Sequence, residues 1–226
     1  MRAALVFIAA LTLHTTSHAN GRFPEAQVIE SVPGQRGATL FLRATFGVLV
    51  SRDGGRGWHW ICERALGYGG EWDPPIAATR DGRLWVGLEG GLVSTLDGCD
   101  VQPALELEGY TIKDLTTDVG GETLFAITGA PGKRSFVWRR RPGQPFERLA
   151  GMDDVNPMTI EVAPSLPSRV YVSGQPYATI RGRIYRSDDG GATFQAQGDA
   201  PDASAAAGRL TTSGLSADGP LFIGSV

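Results

Sequence analysis

A turn-forming motif occurs at least twice in the chain and limits the folds that the chain can adopt. It spans Ser187–Phe194, and Ser51–Trp58 carries its serine, aspartate, glycines and aromatic residue at the same offsets. Serine and aspartate side chains can hydrogen-bond to the turn backbone, and glycine adopts positive φ without steric cost. Each copy therefore predicts a tight turn between two strands, anchored by the aromatic side chain.

Two weaker copies extend the motif into a repeat. Thr95–Cys99 retains Asp97 and Gly98 but lacks the aromatic residue, and Arg139–Phe146 retains one glycine and the aromatic residue. The copies begin at residues 51, 95, 139 and 187. This spacing is typical of a four-stranded propeller blade, which takes roughly 40 to 50 residues.

The motif resembles the Asp-box, or BNR, repeat of sialidase-like and sortilin-like β-propellers, where it lies between the last two strands of a blade. The resemblance implies an all-β fold, a β-propeller of four-stranded antiparallel blades, with the repeats as structural elements at the blade periphery. It does not determine activity, because one fold hosts many functions. It implies a structural role for Ser51, Asp53, Gly55, Trp58, Asp97, Gly98, Ser187, Asp189, Gly191 and Phe194.

Short segments rich in β-branched and aromatic residues recur with the same period. We interpret five of them as the inner strand of successive units: Thr39–Ala44, Arg83–Leu88, Thr123–Thr128, Arg169–Gly174 and Pro220–Ser225. The units are roughly 26–66, 67–108, 109–150 and 151–200, with a partial unit at 207–226. The sequence thus predicts about four blades and part of a fifth.

Such a propeller would be incomplete, and three explanations are open. The final strands could pair with Ala26–Ser31 to close a small ring, the chain could pair with another copy, or the reading frame could be truncated. We favour the third explanation or an open arc. An open arc exposes unpaired strand edges, so self-association is expected.

The N-terminus predicts export. Met1-Arg2 precedes an apolar run from Ala3 to Leu13, and Ser17-His18-Ala19 places small residues where a signal peptidase would cleave. We therefore expect a signal peptide at 1–19, a propeller domain at 20–226, and a secreted or periplasmic product without membrane insertion. The net charge of -3 gives no electrostatic reason to expect a nucleic-acid partner.

The two cysteines suggest a covalent link between blades. Cys62 follows the first copy of the motif and Cys99 lies within the second, and exported proteins commonly form disulfides. We predict a Cys62–Cys99 disulfide, with two free thiols as the alternative. Only one histidine, His59, follows the predicted signal peptide, so we expect neither a metal site nor a cofactor.

Candidate functional residues lie in loops. The chain lacks the Arg-Ile-Pro-like motif of sialidases, whereas an inverting glycosidase needs only two suitably spaced carboxylates. Glu71 and Asp73 are therefore weak catalytic candidates, with solvated loop carboxylates as the alternative. Tyr68, Trp72 and Tyr177 lie among glycines and prolines and could stack on a ligand or pack between blades.

The preferred hypothesis is an exported, non-catalytic β-propeller that binds a carbohydrate or protein ligand through its inter-blade loops. One alternative is a glycoside hydrolase, either sialidase-like or an inverting endo-glycanase, with Glu71 or Asp73 as the acid. The other is an extracytoplasmic assembly or scaffold factor, whose sequence would look the same.

Overall fold

The structure consists almost entirely of four antiparallel sheets. The computed structural model describes residues 23–130, 132–179 and 181–199, and the backbone of 210–211 and 222–223. The predicted signal peptide and most of the predicted fifth unit lie outside these residues. The first sheet comprises β1 (Ala26–Ser31), β2 (Leu40–Ala44), β3 (Gly47–Ser51) and β4 (His59–Cys62), and the second comprises β5 (Ile76–Ala78), β6 (Leu84–Gly87), β7 (Leu92–Thr95) and β8 (Val101–Pro103).

The remaining elements follow in chain order. The third sheet comprises β9 (Thr111–Thr117), β10 (Leu124–Ala130), β11 (Lys133–Arg140) and β12 (Glu147–Arg148), and the fourth comprises β13 (Val155–Val162), β14 (Val170–Pro176), β15 (Arg183–Ser187) and β16 (Gln195–Asp199). A short helix α1 (Glu63–Leu66) and a 3-10 helix (Leu105–Leu107) lie in the connections after the first and second sheets. A hairpin of β17 (Leu210–Thr211) and β18 (Phe222–Ile223) follows.

The first strand of each sheet is the innermost one. β1 packs against β5, β5 against β9, and β9 against β13. Four of the segments predicted as inner strands correspond to β2, β6, β10 and β14, the second strand of each sheet, and each has another strand before it. Second strands have a hydrogen-bonded neighbour on both sides and a sheet or core on both faces, and they are therefore the most apolar segments.

Neighbouring sheets bury a separate apolar core between each pair. Phe41 and Val48 of the first sheet meet Leu84 and Val86 of the second. Along β10, consecutive residues point to opposite faces, so Leu124 joins the core with the second sheet and Phe125 joins the core with the fourth. Each internal sheet is thus held on both faces by side chains that alternate along its strands.

The sheets form an open arc. β17 contacts β13 and pairs with β18. Among the described residues, β1 pairs with β2 alone, so the final strands are not seen to close a small ring through Ala26–Ser31. The hairpin lies beside the fourth sheet instead.

The turns between the third and fourth strands are held by their own polar side chains. In the first sheet, Ser51 Oγ accepts the Gly55 N–H (2.8 Å), and Asp53 Oδ1 accepts the N–H groups of Arg56 (2.9 Å) and Gly57 (2.8 Å). These bonds satisfy turn backbone groups that have no strand partner. We call this turn and its counterparts around Asp97 and Asp189 the aspartate turns.

The other two aspartate turns repeat the arrangement with small changes. Asp97 Oδ1 accepts the N–H groups of Cys99 (2.8 Å) and Asp100 (3.0 Å). Asp189 accepts both the N–H (2.9 Å) and the hydroxyl (2.6 Å) of Thr193. The aromatic residue of each well-matched copy is also held in place. Trp58 Nε1 donates to Gly55 O (3.0 Å), and Phe194 packs against the core between the third and fourth sheets.

The weakest copy of the motif carries a different contact. Arg139 occupies the position of the serine and is buried at 7% exposure. Its guanidinium forms an ion pair with Glu147 (2.9 Å) and donates to the carbonyl of Gly190 in the neighbouring aspartate turn. The arginine therefore joins the third sheet to the turn of the fourth.

Acid should weaken the fold through the aspartate turns. The Gly57 N–H at Asp53, the Asp100 N–H at Asp97 and the Thr193 hydroxyl at Asp189 are the main groups that lower the pKa of these carboxyls. A lowered pKa in the folded state gives stability that is present above the unfolded pKa, about 3.9, and is lost as the pH falls through the folded value. We expect the free energy of unfolding to fall as the pH drops below about 4.

Denaturant unfolding across this acid range checks the expectation. Replacing all three aspartates with asparagine keeps an acceptor oxygen in each turn but removes the titration, so the triple variant should lose stability less steeply with pH. A control triple variant at exposed positions outside these turns (Glu89→Gln, Glu106→Gln and Glu108→Gln) should keep the native slope. Equal slopes for the two triple variants would contradict the assignment.

Candidate functional site

The strands of the arc have two ends with different roles. Because the four strands of each sheet run up and down, the aspartate turns lie at one end, and the connections between sheets lie at the other. We call the second end, with connections 63–75, 104–110 and 149–154, the loop end. All the predicted ligand and catalytic residues lie there: Tyr68, Glu71, Trp72, Asp73 and Tyr177.

Three of the four first strands carry a β-bulge near the loop end. The register of β1 with β2 shifts between Ala26 and Val28, that of β9 with β10 at Lys113, and that of β13 with β14 between Pro157 and Thr159. The extra residues are Gln27, Lys113 and Met158. Bulges re-aim side chains and are frequent beside functional sites.

Lys113 is the most unusual of these bulged residues. Its ammonium donates to Asn156 Oδ1 (2.7 Å), Ser135 Oγ (2.9 Å) and Pro157 O (3.3 Å). These acceptors are all uncharged, and none of the ion pairs found among the described residues includes Lys113. Burial lowers the pKa of the ammonium. The protein thus holds a half-buried positive charge that forms no ion pair among the described residues.

Grooves of about 200 to 460 Å³ open at several places on the arc, and one of them is built around Lys113. This Lys113 groove has a volume of about 370 Å³ and lies between the third and fourth sheets. Its lining contains two lysines and no carboxylate. The lining residues are Thr111, Lys113, Gly129, Lys133, Ser135, Asn156 and Tyr177.

Tyr177 forms one wall of the Lys113 groove. Its hydroxyl accepts the Ser135 N–H (3.0 Å), and the guanidinium of Arg134 lies 5.4 Å from the centre of its ring. The residue is 48% exposed. The ring is therefore fixed at one edge by a hydrogen bond, with Arg134 over one of its faces, and about half of the residue remains exposed and available for stacking on a ligand.

A smaller groove of about 200 Å³ continues from Lys113 along the inner surface of the arc. Arg43 Nη1 donates there to Pro74 O (2.7 Å) and Asp73 O (3.3 Å). Asp73 Oδ2 accepts from Gln27 Nε2 (3.2 Å). Polar side chains therefore extend from the Lys113 groove to the connection between the first two sheets.

The aromatic residues of that connection occupy packing positions. Trp72 is half-buried, and its Nε1 donates to Gly87 O (3.0 Å). Tyr68 packs against the core between the first two sheets, and burial raises the pKa of its hydroxyl, which has no hydrogen-bond partner among the described residues. Of the three predicted ligand contacts, the structure places Tyr177 alone in the lining of the Lys113 groove.

The two candidate acids are not placed alike. Asp73 lines the inner groove, whereas Glu71 is exposed and belongs to the lining of neither groove at the loop end. Among the described residues, no group of three or more histidine, cysteine or carboxylate side chains is arranged to hold a metal ion.

The predicted disulfide is absent, which corrects that expectation. Cys62 and Cys99 are both free and line another groove, of about 460 Å³, between the first and second sheets. The Cys62 thiol faces the Glu63 carboxylate (3.5 Å), while the Cys99 backbone is held in the Asp97 turn with its side chain exposed. Both side chains are therefore free thiols in the structure.

Lys113, Ser135 and Asn156 were not among the residues predicted from the sequence. A signal was present, because Lys113-Asp114 places two charged residues inside a strand whose other residues are apolar or threonine. Charged residues are costly inside a sheet unless they have specific partners. The bulge that turns Lys113 toward Asn156 has no sequence signature in this chain.

Comparisons with known proteins agree with this architecture. No family model and no curated protein matches the sequence. Among solved structures, an ancestral GH74 enzyme superimposes with a TM-score of 0.58 at 16% identity, covering 80% of this chain and 25% of that chain. The GH74 enzyme of Niastella koreensis gives 0.56 at 14% identity, covering 71% and 28%.

A third neighbour is the hydrazine synthase of Kuenenia stuttgartiensis, with a TM-score of 0.54 at 13% identity and coverage of 84% and 52%. The fold is that of a β-propeller. The predicted all-β propeller of four-stranded antiparallel blades is thereby confirmed. This chain spans about a quarter of the length of the two GH74 enzymes. In the part of the chain that the structure describes, no helix has the length and apolarity needed to cross a membrane.

Proposed function

We propose that the protein is an exported, non-catalytic β-propeller that binds a carbohydrate bearing a carboxylate or sulfate group in the Lys113 groove. The observation that carries the proposal is the half-buried ammonium of Lys113, which is held by uncharged acceptors in a groove without carboxylates. In this proposal the aspartate turns are Asp-boxes, which hold the blades in shape and leave the loop end for recognition.

The groove offers the three kinds of contact that a sugar needs. Tyr177 presents an aromatic face, Ser135 and Asn156 present a hydroxyl and an amide, and the two lysines present positive charge. Its volume of about 370 Å³ falls within the range of small-ligand sites. An anionic group on the ligand would give the Lys113 ammonium a negatively charged acceptor in place of uncharged ones, and a hydrogen bond between two charged groups is the stronger interaction.

The lining favours binding over hydrolysis. Inverting and retaining glycoside hydrolysis both use a pair of carboxylates that flank the scissile bond, and the Lys113 groove contains none. Two structural neighbours are GH74 glycoside hydrolases, which is compatible with a carbohydrate ligand. At their low identity they support the fold rather than the reaction.

Binding of the full chain to a panel of acidic and neutral polysaccharides tests the proposal. Lys113→Met should weaken binding to the acidic members roughly ten- to a hundredfold, because a hydrogen bond to a charged group contributes about 1.5 to 3 kcal/mol. Tyr177→Ala should weaken binding to both classes, and Tyr177→Phe, which keeps the ring, should weaken it less. Isothermal titration calorimetry gives the dissociation constants.

Arg52→Met provides a matched control, since it removes an exposed cation beside an aspartate turn, at the end of the strands opposite the loop end. Its affinity should equal that of the unaltered protein. The proposal fails if no polysaccharide binds, or if Lys113→Met and Arg52→Met behave alike. Sugar release measured in the same mixtures tests the enzyme alternative: turnover that disappears in Glu71→Gln or Asp73→Asn, with binding retained, would identify a hydrolase.

A further inference from the structure

The first sheet carries an apolar row on the face that points away from the second sheet. The pairing registers place Ile29 opposite Leu42, Leu42 opposite Leu49, and Leu49 opposite Trp60, so one residue from each of the four strands lies in line. Ile29 is 59% exposed and Trp60 is 60% exposed. The row thus crosses the whole width of the sheet while remaining open to solvent.

Neighbouring side chains enlarge this row into a patch. Phe46, 37% exposed, contacts the edge of Trp60 with ring centres 6.4 Å apart, and Trp58 is 38% exposed. By strand alternation, the other positions on this face of β1, β2 and β3 are small or uncharged, and no charged residue lies on them. Contiguous apolar patches of this kind mark interaction surfaces.

The fourth sheet is the last of the four along the chain, and its outward face is charged rather than apolar. A corresponding row across its outward face reads Glu161, Tyr171, Arg186 and Gln195. Arg186 and Arg169 on this sheet both form ion pairs with Asp188. A contact between this face and the apolar patch of another copy would remove charged groups from water against a surface that offers them no partner, which is unfavourable.

We propose that the apolar patch of the first sheet, formed by Ile29, Leu42, Leu49, Trp60 and their neighbours, binds the same patch of a second copy of this chain. The patch is complementary to itself because it is apolar throughout, and a contact of one patch with its own copy closes as a two-fold dimer. The two sheets would then pack face to face, about 10 Å apart, as sheets do in a sandwich.

This inference is independent of the ligand proposed above. The patch lies on the first sheet, whereas the Lys113 groove lies between the third and fourth sheets. Dimerisation would therefore leave the Lys113 groove of each copy accessible, so that the dimer carries two binding sites. A contact limited to one face of a four-stranded sheet would be at the low end of specific protein interfaces in size, so we expect a dissociation constant in about the micromolar range.

Sedimentation velocity of the full chain over a wide range of concentration tests the inference. The unaltered protein should pass from monomer to dimer and no further. Ile29→Lys and Trp60→Lys should each raise the dissociation constant at least about tenfold, because each places a charge in an apolar contact. Ile29 is more exposed to solvent than the β3 residues, so its variant should fold normally even if Trp60→Lys does not, and circular dichroism verifies this.

Tyr171→Lys, on the outward face of the fourth sheet, is the matched control and should leave the dimer intact. Three results would overturn the inference. These are a monomer at every concentration, a dimer unaffected by Ile29→Lys, or a dimer lost in Tyr171→Lys but not in Ile29→Lys. Assemblies that grow without limit would also overturn it, since they require a head-to-tail contact rather than a two-fold one.

Discussion

Gly47→Ala should destabilise the protein by more than about 3 kcal/mol, a loss that only a few mechanisms such as severe overpacking produce. Gly47 begins β3 with φ at 136°, where residues with a side chain are strained. A Cβ atom there would collide with the carbonyl oxygen of Ile61 and lie 2.7 Å from Trp60 Nε1. Because Ile61 belongs to β4 and pairs with Val48, its carbonyl cannot move away without breaking the ladder between β3 and β4.

Gly143→Ala separates the collision from the effect of positive φ. Gly143 has φ at 68°, and a Cβ atom added there meets nothing within 4 Å. Its replacement should therefore cost only the conformational term, about 1 to 2 kcal/mol. Urea unfolding of the three proteins gives the free energies of unfolding. Similar losses in the two variants would show that the collision with the Ile61 carbonyl does not add to the cost of the Gly47 replacement.

The blade architecture could be predicted because it depends on local chemistry. The serine or threonine, aspartate and glycine residues of each aspartate turn hydrogen-bond within a few residues of one another, so their spacing in the sequence is already the spacing of the turn. The apolar second strands were recognisable for a related reason. Burial on both faces requires a continuous run such as Leu84–Gly87, which has no polar side chain.

The candidate site could not be predicted in the same way. Lys113 of the third sheet reaches Asn156 and Pro157 of the fourth sheet, and these partners are 43 and 44 residues away in the chain. Whether such residues meet depends on how neighbouring blades are packed and on a one-residue bulge in β9. A loop aromatic such as Trp72 also looks the same in sequence whether it stacks on a ligand or packs against Gly87.

The inner strands show what holds adjacent blades together at the centre of the arc. An innermost strand has a hydrogen-bonded neighbour on one side only, so the backbone groups on its other side need partners of another kind. Asp114 of β9 supplies one. Its Oδ2 accepts the Ile160 N–H of β13 (2.8 Å), and its Oδ1 accepts the N–H of Leu115 (3.1 Å). The carboxylate is 7% exposed, and Ile160 is fully buried.

Asp114→Ala should therefore cost about 2 to 4 kcal/mol, because it leaves the Ile160 N–H buried without its acceptor. Asp114→Asn should cost less, since the amide oxygen can still accept one of the two N–H groups while the NH₂ group must face the other. Removing an exposed carboxylate with Glu108→Ala should cost less than about 0.5 kcal/mol. Denaturant unfolding measures all three losses against the unaltered protein.

Hydrogen exchange at Ile160 shows whether the loss arises at this bond. The amide should be strongly protected in the unaltered protein and in Glu108→Ala, and it should exchange much faster in Asp114→Ala. Because Ile160 lies on a different sheet from Asp114, a general weakening of the third sheet alone would leave its protection intact. If Asp114→Ala lowers stability while Ile160 stays protected, the carboxylate does not act as the link between the two blades.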